Sequence, residues 1–406
     1  MNFYTLCITT AGHDASYALF NHDKLILFSQ GERGTRKKND DDISAEFFDY
    51  IKDKITNDID LLIIHPVGKN KERIYYDVKK RFNIKKVIQK ELLDKFNNVV
   101  IKNELEFSHH ITHALSPFYT SPFDEAVCLI IDALGSRFGL SVHYGTGIIG
   151  SETTTIVEIN KRFEPKVLYK RMQYVPATSH DTVNSMLSFS FTGGLCDDNF
   201  FNDEVKFEAD LTTHMDIGNM YHTISEHLGF GIFGCGKVMG LSAYGNPTND
   251  LPPFLFEDTI YSNNNFFSLD RTINKCCYPK LYERLSFQQK ADLAYNVQKA
   301  MEKVFISHAE FIKNNSKIRN LVIGGGCALN ILSISAIKEK YPEFNIYVDP
   351  IANDATHSIG LGIHCYKHYV NKMIEKKNHV NSIYMGPEYD LSFIESKVDS
   401  FVNKNS

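Results

Sequence analysis

The chain has 406 residues, of which 43% are hydrophobic and 23% are charged, which is the balance of an ordinary globular protein. The formal net charge of -5 gives no basic footprint for nucleic acid, and no apolar run reaches the length that crosses a bilayer. Length and composition therefore predict two or three lobes, with neither nucleic acid nor a membrane as a partner.

The cysteines and the N-terminus predict the compartment. The eight cysteines lack regular spacing, and the polar Asn2 leads at once into a strand. We therefore expect reduced thiols, no secretory leader and a cytoplasmic protein.

The N-terminal third predicts a β-meander followed by α/β alternation. Strands are expected at 3–10, 17–20, 24–29, 61–65, 86–88 and 99–101, and helices at 44–54 and 90–96. Hairpins of this kind open each lobe of the actin-like and sugar-kinase-like ATPases. In those proteins the first turn, here Gly12 to Ser16, faces phosphate.

A second meander begins near residue 126, so the sequence predicts a duplicated fold with the ligand between two lobes. Strands are expected at 126–132, 139–144, 155–159, 319–323 and 344–348, and helices at 217–228, 286–314 and 328–340. Residues 170–215 are irregular, and the sequence predicts no order of elements for them.

A histidine-rich stretch is the first candidate for chemistry. His109 and His113 lie four residues apart, so on a helix they share one face and can grip a divalent metal. Asp132 ends the next hydrophobic strand and is placed like a third ligand. The competing interpretation is a solvated histidine cluster followed by an ordinary core strand. His110 faces away from its two neighbours, so we expect a supporting or structural role for it.

Two glycine-rich loops are candidates for binding phosphate. Gly324 to Gly326 follow a strand and precede a helix, an arrangement that exposes helix amides to an anion. The loop before Lys237 contains several glycines, but no Ser or Thr follows the lysine, so it is not a Walker A loop. Asp354 lies in a loop after a strand, the usual position of a site residue in open α/β sheets.

An ordered set of short motifs extends from residue 12 to residue 387. They are Gly12 to Ser16, Glu32, Arg33, Arg36, Lys38, His109, His110, His113, Ala114, Ser121 to Ala126, Asp132, Gly236 to Leu241, Ala243 to Gly245, Gln298, Gly325, Gly326, Ala328 to Asn330, Asp354, Gly386 and Pro387. In this order they resemble the N-terminal domain of the NodU/CmcH family of O-carbamoyltransferases. That domain is akin to the universal tRNA threonylcarbamoyl-transfer protein and belongs to the actin-like ATPase superfamily.

The resemblance implies an α/β, two-lobed actin-like ATPase (ASKHA) fold with duplicated mixed β-sheets flanked by helices. The first lobe is expected over residues 1–122, and the second over 123–370 with an insertion near 170–285. Residues 371–406 are expected to form a linker or tail toward a YrdC-like domain, which nothing in this sequence matches.

The resemblance also implies an enzyme, a carbamoyltransferase. Family members use carbamoyl phosphate and ATP, from which a YrdC-like domain or chain makes carbamoyl-adenylate. The N-terminal domain then passes the carbamoyl group to a hydroxyl of a small acceptor at a metal, typically iron. Two histidines and two aspartates also suit manganese or zinc, and Mg²⁺ would accompany ATP.

Site residues follow from the same resemblance. His109, His113, Asp132 and Asp354 are implied as metal ligands, and His13 as the base at the acceptor hydroxyl. Gly324, Gly325, Gly326 and Asn330 are implied to hold the adenylate, and Arg36, Lys38 and Lys237 to contact phosphate. Two alternatives remain open: threonylcarbamoyl-type transfer to tRNA, which the missing basic patch disfavours, and a non-catalytic nucleotide-binding partner with the same fold.

Overall fold

The structure is a computed structural model. It describes residues 2–11, 13–55, 58–67, 71–85, 87–89, 108–135, 137–140, 148–176, 208–212, 215–248, 253–255, 259–260, 267–269, 274–276, 285–370, 385–386 and 390–405. Gly12, Pro387, the expected helix at 90–96 and the expected strand at 99–101 lie outside the described residues. Most of residues 170–215 also lie outside them.

The first lobe contains a five-stranded mixed sheet. Its elements are β1 (Tyr4–Ala11), β2 (Ser16–Asn21), β3 (Lys24–Gln30), α1 (Glu32–Thr35), α2 (Ala45–Lys54), β4 (Asp58–Ile59), β5 (Leu61–Val67), α3 (Lys71–Arg81), β6 (Asn83–Ile84) and β7 (Val87–Gln89). The strand order is β3-β2-β1-β5-β7. The meander β1 to β3 is antiparallel, and β5 and β7 add to it in parallel.

The second lobe contains a larger mixed sheet. The elements from residue 108 onward are α4 (His109–Thr120), β8 (Ala126–Ile131), β9 (Arg137–Leu140), β10 (Ile148–Ile159), β11 (Pro165–Pro176), β12 (Glu208–Thr212), α5 (Ile217–His227), α6 (Cys235–Ser242), β13 (Phe267–Leu269), β14 (Asn274–Cys276), α7 (Phe287–Asn315), β15 (Asn320–Gly324), α8 (Ile331–Lys340), β16 (Asn345–Val348), α9 (His357–Val370) and α10 (Leu391–Asn405). The strand order is β12-β11-β10-β8-β15-β16, with β9 paired to β10.

The two sheets repeat one topology. Strands β8, β10 and β11 form an antiparallel meander, to which β15 and β16 add in parallel, just as β5 and β7 add to β1, β2 and β3. Helices α2 and α3 pack on the outer face of the first sheet, and α7 packs on the outer face of the second. The predicted α/β class, with duplicated mixed sheets flanked by helices, is confirmed.

Helices α4 and α9 form a layer between the two sheets. Their apolar side chains share one buried cluster with Phe20 and Phe28 of the first sheet and with Cys128 and Ile130 of the second. The two helices also contact each other closely, because a side chain on Gly360 would overlap the backbone carbonyl of Thr112. This layer places residues that are far apart in sequence, near 110 and near 357, side by side.

The sequence and the structure differ at several described elements. Strand β10 begins at Ile148 and not at 155, and the sequence analysis does not predict β11. Helix α8 begins at Ile331, not at 328, because Gly326–Leu329 form a 3₁₀ turn and the side chain of Asn330 caps the helix at Ser333 N. The tail contains helix α10, which the sequence analysis does not predict. The lobe boundaries at 122 and 370 stay a prediction. Among the described residues, no helix is both long and apolar enough to cross a membrane.

Candidate metal centre and adjoining cavity

Helix α4 presents the first two donors. Ser108 caps the helix by accepting a hydrogen bond from Ile111 N at 3.1 Å, so His109 and His113 stand one turn apart on the same face. Their Nε2 atoms are 3.1 Å apart. The helical spacing expected from the sequence is therefore present, and both rings direct Nε2 toward one point.

Two carboxylates approach these nitrogens from different elements. Asp132 follows β8 directly, and its Oδ2 lies 3.4 Å from His109 Nε2 and 3.2 Å from His113 Nε2. Asp354 begins a 3₁₀ turn after β16, and its Oδ1 lies 3.5 and 3.3 Å from the same two nitrogens. The four residues implied as ligands are thus brought together by the fold.

A third histidine belongs to the cluster. His357, the first residue of α9, places Nε2 at 3.3 Å from His109 Nε2 and 3.8 Å from Asp354 Oδ1. The donor atoms of His109, His113, Asp354 and His357 all lie within 4.8 Å of one another. The sequence analysis does not assign His357 to the site. Its spacing of three residues from Asp354 at a helix start was the available signal.

Ionisation of the metal-free cluster reflects the proximity of imidazoles and carboxylates. Burial alone would lower the pKa of His109, but the Asp354 and Asp132 carboxylates outweigh burial and raise that pKa to about 10. Burial likewise opposes the raised pKa of His113. The pKa values of Asp132 and Asp354 fall below the ordinary range because the histidines outweigh the effect of burial.

The donor set fits a divalent metal. A ligand distance of about 2.1 Å gives donor separations of about 3.0 Å in an octahedron and about 3.4 Å in a tetrahedron. The Nε2 atoms of His109 and His113 lie 3.1 to 3.5 Å from each other and from the oxygens of Asp132 and Asp354. Imidazole nitrogens and carboxylate oxygens are donors for iron, manganese and zinc. A cation at this point would replace the shared protons and satisfy every inward-facing atom.

His13 lies beside the cluster. Its Nδ1 is 2.8 Å from Asp14 Oδ2, and its Nε2 is 3.7 Å from Asp354 Oδ2. The hydrogen bond to Asp14 raises the pKa of His13, and Asp354 adds to that effect. The Asp14 carboxylate therefore favours the tautomer with the proton on Nδ1, which leaves Nε2 free to accept a proton.

A cavity of about 640 Å³ adjoins the cluster and draws its walls from both lobes. Its lining includes the implied site residues His13, Lys38, Asp132, Gly326, Asn330 and Asp354. Arg33 and His222 also line it, although the sequence analysis gives His222 no role and Arg33 no contact. Burial lowers the pKa of His222, so this ring stays neutral at physiological pH.

The glycine loop brings its backbone close to the candidate metal centre. Gly325 has a φ of +82°, and a Cβ there would lie 2.5 Å from the carbonyl oxygen of Ile131. A Cβ on Gly326 would lie 3.2 Å from Asp132 Oδ1. Asn330 uses its amide within the protein, since Nδ2 donates to Gln298 Oε1 at 2.8 Å and Oδ1 accepts from Ser333 N. Any contact between Asn330 and an adenylate stays a prediction.

The three implied phosphate contacts differ in position. Lys38 is on the cavity wall, whereas Arg36 and Lys237 are exposed and do not belong to the described lining. Lys237 instead places Nζ 5.8 Å from the centre of the Phe230 ring. The phosphate role of all three residues stays a prediction.

Comparison with known proteins shows which family this sequence matches. The family described as "Carbamoyltransferase N-terminus" matches residues 5–363. The uncharacterized protein MJ1051 of Methanocaldococcus jannaschii is 26% identical over 400 residues, which cover 97% of this chain and 62% of that protein. The nodulation protein NolNO of Sinorhizobium fredii is 23% identical over 277 residues, which cover 67% of this chain and 33% of NolNO.

Among solved structures, full-length HypF in its phosphate- and nucleotide-bound form aligns with 90% of this chain and 55% of its own. The identity is 13% and the TM-score is 0.48. The chain therefore spans only part of several relatives, about three fifths in the case of MJ1051.

Proposed function

Because the chain belongs to the carbamoyltransferase N-terminal family, as its motifs predicted, we propose that it transfers a carbamoyl group from carbamoyl-adenylate to a hydroxyl of a small acceptor. One structural observation supports the proposal in addition to the family match. His109, His113, Asp132 and Asp354 converge beside His13 at the wall of a cavity that can hold a substrate.

The cavity and its loops support a binding role. A volume of about 640 Å³ falls within the range of small-molecule sites. The backbone of Gly324 to Gly326 passes next to Asp132, so an adenylate on this loop would present its phosphate near the metal centre. Lys38 on the opposite lobe supplies a positive charge for that phosphate.

The transfer step needs no reactant other than the carbamoyl-adenylate and the acceptor. The acceptor oxygen attacks the carbamoyl carbon, the bond from that carbon to the phosphate oxygen breaks, and AMP leaves with the bonding electron pair. The hydroxyl proton goes to His13 Nε2, the nitrogen that the Asp14 hydrogen bond leaves free. A divalent metal, with iron the first candidate, would polarise substrate oxygen and offset charge on the leaving phosphate.

The source of the adenylate is part of the proposal. Carbamoyl phosphate and ATP, with Mg²⁺, would be converted to carbamoyl-adenylate by a YrdC-like domain or chain. The residues described around the metal centre would then consume that intermediate. The acceptor is a hydroxyl compound small enough for the cavity.

A transfer assay tests the proposal. The protein receives carbamoyl-adenylate, or carbamoyl phosphate with ATP and a YrdC-like partner, and mass spectrometry follows hydroxyl carbamoylation across an acceptor panel. His13→Asn should lower transfer about 10²–10⁴-fold, the usual contribution of a general base, while adenylate affinity changes little. His22→Asn is the control, since His22 lies in a turn at a positive φ that asparagine tolerates.

Two results would count against the proposal. Absence of carbamoylated product from the wild type across the panel would overturn the transfer function. Equal loss of transfer and of adenylate binding in His13→Asn would show that His13 maintains the structure of the cavity and is not the base.

A further inference from the structure

We propose that His357 is a third imidazole ligand, so that the centre contains three histidines and two carboxylates. The inference deepens the proposed function and rests on its assumption that the cluster binds a metal. It concerns a residue outside the four that the motifs imply.

The Nε2 atom of His357 is placed as a metal donor would be. It lies 3.3 Å from His109 Nε2 and 3.8 Å from Asp354 Oδ1, and the ring centres of His357 and His113 are 4.3 Å apart. The two donor separations lie between the edge, about 3.0 Å, and the diagonal, about 4.2 Å, of an octahedron with ligand distances of about 2.1 Å. His357 is only 4% exposed, so no solvent-facing alternative direction is open to its ring.

A hydrogen bond to Thr112 sets the orientation of the His357 ring. The Thr112 hydroxyl has one proton, which it donates to the backbone carbonyl of His109 at 2.7 Å. Its oxygen therefore accepts from His357 Nδ1, with which it is in contact. That bond places the ring proton on Nδ1 and leaves the Nε2 lone pair directed at the cluster, which is the usual second-sphere arrangement of a metal-bound histidine.

The segment that carries His357 is fixed by packing on both sides. Gly360 lies one turn after His357, and its lack of a side chain allows α9 to approach the Thr112 carbonyl. Ser16 Oγ donates to Ala355 O at 2.6 Å and so ties the preceding turn to the first sheet. The Thr356 hydroxyl contacts Ser116 on α4 and donates to Asp349 Oδ2 at 3.0 Å. These contacts fix the place of His357 relative to His109.

The competing interpretation is a core histidine that serves packing alone. Such a ring usually directs both nitrogens at hydrogen-bond partners that can be donor and acceptor in turn. Here Nε2 faces the Nε2 of His109, which itself faces His113 at 3.1 Å. Three mutually facing ring nitrogens need shared protons or a cation, and the two carboxylates make the cation favourable.

The third imidazole has a consequence for metal choice. Nitrogen donors favour Fe²⁺, Co²⁺ and Zn²⁺, whereas carboxylate-rich sites suit Mg²⁺ and Mn²⁺. His357 therefore contributes to selectivity for Fe²⁺, Co²⁺ and Zn²⁺ over Mn²⁺.

The test variant is His357→Asn. An asparagine amide can reach the Thr112 hydroxyl but ends short of the Nε2 position, so it removes the donor and keeps the supporting contact. His364→Asn is the matched control, because His364 lies two turns further along α9 and is similarly buried, at 5% exposed. Wild type and both variants are stripped with a chelator and titrated separately with Co²⁺ and Mn²⁺.

His357→Asn should weaken Co²⁺ binding by about 10–100-fold or more, because loss of a residue that only supports a metal ligand already costs that much. The loss of Mn²⁺ affinity should be smaller. NMR of the Co²⁺ protein should show three strongly shifted, exchangeable imidazole N–H signals in the wild type and two in His357→Asn. His364→Asn should match the wild type in both measurements.

Other outcomes separate this inference from the proposed function. Two outcomes would overturn the role of His357 but not the four-ligand centre. One is a wild-type Co²⁺ protein with only two shifted signals, and the other is an unchanged Co²⁺ affinity in His357→Asn. Wild-type protein that binds neither metal would overturn the metal centre itself. Thr112→Val, which removes the acceptor for Nδ1 but keeps all ligands, should retain three signals and bind Co²⁺ more weakly than the wild type.

Discussion

Asp349 links the stability of the protein to the position of the candidate metal centre. It follows β16, is 3% exposed, and accepts hydrogen bonds from Ile351 N at 2.9 Å and from the Thr356 hydroxyl. Thr356 belongs to the same 3₁₀ turn as Asp354. Burial raises the pKa of Asp349 to about 6, against the hydrogen bonds that favour the carboxylate.

Asp349→Asn should therefore change how stability depends on pH. A folded pKa above the unfolded value means that this carboxyl stabilises the fold below about pH 4 and loses that contribution as pH rises through about 6. The shift of roughly two units corresponds to about 3 kcal/mol. Urea unfolding at pH 4 and pH 7 should show the variant gaining about that much relative to the wild type at the higher pH. A difference between the two proteins that is independent of pH would contradict this assignment.

At the scale of elements, the N-terminus of α4 is held by a buried ion pair. Glu152 on β10 accepts from Ser108 Oγ and from His110 N, both at 3.2 Å, and pairs with Lys170 on β11. Burial would raise the pKa of Glu152, but Lys170 outweighs it and lowers that pKa to about 2. His110 faces this network through Nδ1, 2.9 Å from Thr155 Oγ1, and burial lowers its pKa to about 3.

Lys170→Met should destabilise the protein by about 3–5 kcal/mol, because it leaves the Glu152 carboxylate buried without its cation. The double variant with Glu152→Gln should recover much of that loss, since the amide needs no counter-ion and still accepts from the α4 N-terminus. Urea unfolding of the two single variants and the double variant gives the coupling energy. Strictly additive losses would contradict the account of a buried pair that anchors the histidine helix.

At the scale of the whole molecule, local pattern predicted the elements better than it predicted the site. Short apolar runs located β1 to β3, β5, β8 and β15, and two meanders predicted the duplicated sheets. The helical spacing of His109 and His113 was also readable, because it depends on one element alone.

The features that the sequence did not predict depend mainly on long-range packing. His357 joins His109 only because α4 and α9 cross at Gly360, a contact between residues about 250 positions apart. The Glu152–Lys170 pair likewise forms across two long strands that no local signal placed in register. Helix α10 was missed because its apolar residues, among them Leu391, Val398 and Phe401, are exposed and sit in a polar tail.

Metal content is the most direct test of the central claim that the cluster between α4, β8 and α9 is a metal centre. Protein purified without oxygen, or reconstituted with Fe²⁺, should contain about one divalent ion per chain by elemental analysis. His109→Ala and Asp354→Ala should lose it, and His22→Asn should keep it. Wild-type protein with no bound metal after reconstitution, or full metal content in both ligand variants, would contradict the account.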